Sequence, residues 1–171
     1  MKVRFLAVDG FNLIRRIFEA RHVQSAADMG SVVDAARSSL QRALGSHNPT
    51  HAAVVLEAHD RTWRHLLYTD YKANRSATPE LLLSHLDDFS AAFSELKVST
   101  CSVESYEADD VIATIAAVVA SHEGSVVILS TDKVYLQMIT ERVVVCDHFG
   151  DRVYGREQVE AQLHIPVSQS T

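Results

Sequence analysis

Six acidic side chains lie where clustered carboxylates could do chemistry: Asp9 in AVDG, Glu57 in VVLEA, Glu107, Asp109 and Asp110 in YEADDVIATI, and Asp132 in LSTDK. Carboxylates brought within a few ångströms of one another must raise each other's pKa or recruit a cation. Oxygen donors with no His or Cys among them suit Mg²⁺ or Mn²⁺ better than zinc. Each acid also has a plainer reading. A helix N-terminus favours a negative charge by about 0.3–1 kcal/mol, which could account for any one acid of the 107–110 group. Asp132 could cap the short helix KVYLQM, Asp9 could form a turn in DGFN, and Glu57 could be a solvated loop acid.

Whether the six act together depends on the elements that carry them. Apolar, β-branched runs predict strands at 3–8, 52–56, 97–103, 125–130 and 142–146. Helical patterns fall at about 12–20, 32–45, 79–95 and 107–121, the third introduced by Thr78 and Pro79 as N-cap and first helical residue. Alternating strands and helices imply an α/β domain with a mainly parallel central sheet flanked by helices. Open parallel sheets place their sites at the carboxyl ends of strands. Asp9 closes the first predicted strand, Glu57 the second, the 107–110 group follows the third and Asp132 the fourth. In the last helix Ala108, Ile112, Ile115 and Val119 form a stripe suited to face the sheet, leaving the first turn free to present all three of its acids.

A second feature is RTWRHLLYTDYKANR, residues 61 to 75. Arg61, Arg64, Lys72 and Arg75 outnumber Asp70, and Trp63, Tyr68 and Tyr71 lie among them. Cations that neutralise phosphates, interleaved with rings that stack on unpaired bases, suit single-stranded nucleic acid. The alternative is a solvated loop whose rings pack on the domain, the favoured reading for Trp63 and Tyr68. Lys72 and Arg75 would share a face if the segment is helical.

Composition bounds the rest. The chain has 171 residues, 47% hydrophobic and 22% charged, enough for one domain with a substantial core. A formal net charge of −6 excludes a broadly basic surface but not a local one. Apolar runs are too short to span a membrane and no signal peptide is visible, so a cytoplasmic protein is expected. Cys101 and Cys146 lack ligand spacing and read as buried free thiols. The nine histidines form no zinc pattern, and no glycine-rich phosphate loop follows the first strand, which disfavours a nucleotide-binding Rossmann domain.

The motifs AVDGFNLIRR, TWRHLLYTDYKANR, TPELL, YEADDVIATIA and LSTDKVYLQ, in that order and spacing, resemble the 5′-to-3′ exonuclease and flap endonuclease family over about residues 3 to 165. The resemblance implies a PIN-like domain with a helical arch at about 61–83, through which a single-stranded 5′ flap of DNA passes. It implies that Asp9, Glu107, Asp109, Asp110 and Asp132 hold divalent metal, with Glu57 at the end of the second strand where many relatives carry Asp. It further implies that Lys72 and Arg75 contact the scissile phosphate, with Arg61, Arg64 and Tyr71 also on DNA. The reaction would be in-line hydrolysis of a phosphodiester by activated water, stabilised by the metal ions and by Lys72 and Arg75.

Three departures from the family bear on activity. Glu57 moves an oxygen outward by one methylene, and Val134 stands where active members often carry another Asp. The family's C-terminal helix-three-turn-helix region, which grips duplex DNA and binds K⁺, is expected to be absent. A non-catalytic relative that binds flap or single-stranded DNA, and a PIN-type ribonuclease, therefore stay open beside a Mg²⁺-dependent flap nuclease acting as a monomer.

Overall fold

The computed structural model describes residues 2–23, 25–58, 61–73 and 78–158. Five strands run parallel, β1 (Arg4–Asp9), β2 (His51–Val55), β3 (Ser99–Cys101), β4 (Ser125–Leu129) and β5 (Val143–Asp147), and β6 (Arg152–Tyr154) is antiparallel to β5. Their order across the sheet is β3-β2-β1-β4-β5-β6. The chain leaves β1 for β2 on one side and later returns to β4 on the other. This switch opens a crevice at the carboxyl ends of β1 and β4, where ligands bind in open parallel sheets.

Side-chain alternation along β1 divides the core between the two sheet faces. Leu6 and Val8 join the cluster built with α1 (Gly10–Ala20), α2 (Met29–His47) and α5 (Leu86–Glu95), where Ile14, Leu40, Phe89 and Phe93 are fully buried. Ala7 joins the opposite cluster with Val126, Ile128, Val143 and Val145, covered by α6 (Ala108–Ser121) and the 3-10 segment Lys133–Met138. Ala108, Ile112 and Ala116 are the buried stripe of α6, with Ile115 and Val119 packed at its margin. The predicted stripe was right at its start, but the α-helical repeat carries its centre onto Ala116.

Other boundaries differ for local reasons. The predicted helix 79–95 is two helices, α4 (Glu80–Leu83) and α5, with Pro79 immediately ahead of the first. At the break the Ser84 hydroxyl donates to the Leu81 carbonyl at 3.1 Å, and His85 Nδ1 lies 2.8 Å from the same oxygen. Such side-chain contacts compete with helical hydrogen bonding. The strand predicted at 97–103 shortens to β3, with Lys97 at a left-handed corner of φ 60°. β6 was not predicted, since three largely exposed residues carry no periodic signal. Cys101 and Cys146 are free thiols, Cys146 buried and Cys101 half-buried. Among the described residues no helix is long and apolar enough to cross a membrane.

Candidate active site

Asp9 ends β1 and caps α1, its Oδ1 accepting the Asn12 N–H at 3.1 Å. Its Oδ2 accepts the hydroxyls of Ser130, at 3.0 Å, and Tyr135, at 3.2 Å. The carboxyl is buried, which pushes its pKa up; the three donors oppose that, and the Asp132 charge adds to it. Across the crevice Asn12 Oδ1 accepts both the Thr131 N–H and its hydroxyl at 3.0 Å, tying α1 to the end of β4. Asp132 does cap the segment after β4, accepting the Val134 N–H at 2.9 Å, and its own N–H donates to Ser130 Oγ at 3.1 Å. Capping does not remove it from the crevice, because Asp132 acts electrostatically on Asp9 and on Tyr135.

The first turn of α6 supplies the other three acids. Glu107 is 4% exposed. Its carboxylate accepts from Lys72 Nζ at 2.8 Å and the Tyr71 hydroxyl at 3.1 Å, with Arg64 at 3.4 Å. Asp110 takes both guanidinium nitrogens of Arg64, at 2.5 and 2.8 Å, and the Trp63 indole N–H at 3.3 Å. This pairing holds its carboxyl below the usual range. Among the described residues Asp109 has no ion-pair partner. It accepts the Asp110 N–H at 2.9 Å, and burial, then Glu107 and Asp110, push its pKa up against the opposing pull of Arg64.

Both groups of acids act electrostatically on Tyr135. Its side chain is buried, and Asp9, Asp109 and Asp132 all add to the burial that holds its hydroxyl protonated. A phenol bonded to Asp9 and held protonated by burial and by the fields of Asp109 and Asp132 serves as a donor rather than a base. Asp9, Asp109 and Asp132, far apart in sequence, thus share one crevice. Glu57 is half-buried and makes no hydrogen bond or ion pair among the described residues. As the side chains stand, no three His, Cys, Asp or Glu among the described residues lie close enough to share one ion. The donor set still fits a hard divalent cation in its chemistry: all oxygen, partly buried, with two carboxyls pushed toward protonation and two others already holding cationic side chains.

The basic segment lies over α6. It contains α3 (Trp63–Leu67), whose Trp63 N–H donates to the Ser105 carbonyl at 2.9 Å. Arg64 stacks on the Trp63 ring at 4.6 Å and Lys72 approaches the Tyr71 ring at 5.4 Å. Both cations are held between rings and carboxylates. Tyr68 is 61% exposed and lacks the packing expected of it, whereas Trp63, 38% exposed, rests on the domain through Arg64 and Asp110. Arg61 is exposed, and Arg75 lies outside the described residues. Lys72 occupies a turn with φ 57°, not a helix. Tyr135, Ser130 and Asn12 had escaped the sequence reading. The one signal was the hydroxyl of Ser130 directly after an apolar strand, in the loop that carries Asp132.

Residues 4–164 match the model of the 5′-3′ exonuclease N-terminal resolvase-like domain. The chain belongs to the 5′-3′ exonuclease family. It is 38% identical over 162 residues to the flap endonuclease Xni of Shewanella frigidimarina, and 37% identical over 162 residues to that of Shewanella amazonensis. Each alignment covers 95% of this chain and 62% or 63% of the relative, so the chain spans a little under two thirds of these family members. In structure it is similar to the 5′-exonuclease of bacteriophage T5 with bound zinc, with a TM-score of 0.79 at 21% identity over 97% of this chain and 63% of that one. A complex of the T5 flap endonuclease with DNA and metal ions gives a TM-score of 0.75 at 22% identity, covering 95% of this chain and 61% of the other. The family's PIN-like, mainly parallel fold is thus present.

Proposed function

We propose that the protein is a divalent-metal-dependent nuclease that hydrolyses phosphodiesters at 5′ flaps of DNA, working in the cytoplasm as a monomer with Mg²⁺ or Mn²⁺. The observation that carries this reading is the placement of acids from the ends of β1 and β4 and from the first turn of α6 at one end of the sheet, beneath a segment rich in cations and exposed rings. Asp9, Glu107, Asp109, Asp110 and Asp132 would hold the metal, with Glu57 at the rim. A divalent ion bound there supplies Lewis-acid stabilisation of the phosphoryl oxygens and lowers the pKa of water.

The chain's own residues do the rest. Ser130, Tyr135 and the Asn12 N–H fix Asp9 in one orientation. Lys72 and Arg64, now paired with Glu107 and Asp110, would turn to the substrate phosphate, a role also proposed for Arg75. Tyr68 offers a face on which an unpaired base can stack, and Trp63 offers another once Arg64 leaves it. Residues 61–83 then act as the arch over a single-stranded flap.

A labelled 5′-flap substrate incubated with Mg²⁺ tests the proposal. Cleavage is expected near the junction, with none in EDTA and none from Asp109→Asn; cutting that persists in that variant would rule the site out. Two observations favour the non-catalytic alternative. Val134, 38% exposed beside Asp132, offers no ligand, and Glu107 and Asp110 are already neutralised by basic side chains. Salt-sensitive flap binding without turnover in either metal would select it. A preference for RNA over flap DNA would select a ribonuclease.

A further inference from the structure

A cleft of about 490 Å³ lies between α1, α2 and the turn that joins β5 to β6, on the sheet face opposite α6 and the segment over it. Arg16, Arg21 and Arg42 line it with Ser38 and Phe149, and Asp34 is its single acid. None of the three arginines forms an ion pair among the described residues, although their neighbours Arg15 and Arg37 are paired with Glu19 and Glu95. Three guanidinium groups with no carboxylate partner among the described residues, Arg42 bonded only to Ser39 Oγ at 3.5 Å, create a local positive field in a chain of formal net charge −6 that an anion would relieve.

The cleft connects to the crevice through Arg16. That guanidinium lies over the Phe149 ring at 5.1 Å and reaches Thr131 Oγ1 at 3.5 Å, between the residues Ser130 and Asp132. It also lines a second hollow of about 210 Å³ shared with Ser130 and Asp132. A strand leaving the acids at the end of β4 would pass Arg16 first and then Arg21 and Arg42. The lining supplies guanidinium and hydroxyl donors, and its one ring is already covered by Arg16. Stacking on bases is therefore unavailable, whereas contact with a phosphate backbone is well served.

We propose that this cleft is a second phosphate-binding site, which holds the backbone of duplex DNA beside the crevice. It extends the nuclease reading, on which its placement rests, but is tested by binding alone. In the 171-residue chain, Arg21→Glu with Arg42→Glu changes two exposed side chains, and a thermal melt checks the fold. Arg21→Gln with Arg42→Gln replaces it if charge reversal unfolds the protein. Fluorescence anisotropy with a blunt duplex should show binding about tenfold or more weaker at low salt. The slope of log affinity against log salt should fall by about 2, roughly one for each lost phosphate contact. Affinity for a single-stranded oligonucleotide should stay within about twofold. Unchanged duplex affinity and slope would overturn the proposal, as would a variant that loses only inorganic phosphate while keeping duplex. A chain that never cuts flaps yet loses duplex binding in the variant refutes the nuclease reading and leaves the cleft standing; flap cutting with unaltered duplex binding does the reverse.

Discussion

Adjacent residues Asp109 and Asp110 have opposite electrostatic circumstances, and that difference can be measured. Burial and two neighbouring carboxylates raise the Asp109 pKa from its ordinary 3.8, whereas Arg64 lowers that of Asp110. For Asp109 the folded pKa exceeds the unfolded one, so the fold favours the protonated form. Its contribution is present below about pH 3.8 and is lost as pH rises through the folded value. Asp109→Asn, which stays neutral and keeps an acceptor for the Asp110 N–H, should therefore be more stable than the parent at pH 7, with the gain vanishing toward pH 4. For Asp110 the sign reverses. Its contribution is present above about pH 3.8 and is lost as pH falls through the lower folded value. Asp110→Asn should be less stable than the parent at pH 7 and approach it in acid. Metal-free thermal melts from pH 3 to 8 check both, and shifts of equal sign would overturn the assignment. Tyr135→Phe removes a donor to a buried carboxylate and should cost about 1.5–3 kcal/mol at pH 7 in urea denaturation.

The segment from Arg61 to Ala73 is held largely by Arg64, Lys72 and Tyr71 on the acids of α6. Arg64→Ala leaves Asp110 without its bidentate partner and Glu107 with Lys72 and the Tyr71 hydroxyl, which should cost about 1–3 kcal/mol without divalent ions. The freed carboxylates should bind Mg²⁺ more tightly, and a ligand bound only by the folded state raises its melting temperature. Titration with Mg²⁺ should thus raise the melting temperature of Arg64→Ala more than that of the parent; equal shifts would show that Arg64 and the ion do not compete. This coupling was not legible in the sequence. The acids were legible because strands with apolar runs announce their own ends, and a carboxylate directly after such a run has few places to go. The cations were legible as charges, but not as partners of those acids, since nothing local links Arg64 to Asp110 across 46 positions. Tyr135 was hidden likewise: it reads as one apolar residue of KVYLQM until the turn after β4 brings its hydroxyl back to β1.

At the scale of the whole molecule both cores hang on β1, whose Leu6 and Val8 serve one face and Ala7 the other. The strand hands over to α1 at Asp9 and Gly10 with no intervening loop. Gly10 is required there for space rather than for backbone freedom. A Cβ added to it would lie 2.6 Å from Val54 Cγ1, 2.7 Å from Leu56 Cδ2 and 2.9 Å from the Val55 carbonyl oxygen. The two side chains could turn aside, but Val55 O belongs to β2, which is paired in register with β1 through Asp9 and Val55. Gly10→Ala must therefore push α1 away from the sheet, and the Asp9 carboxylate moves with the helix it caps. An overpacking cost of about 1–3 kcal/mol is expected in urea denaturation. One cooperative transition should remain, because β1 and β4 contribute to both clusters. Flap cleavage should fall further than the lost stability explains, since the displacement acts on a carboxylate tied to Ser130 and Tyr135. If activity instead tracks the folded fraction alone, the handover from β1 to α1 supports the fold without setting the geometry of the site.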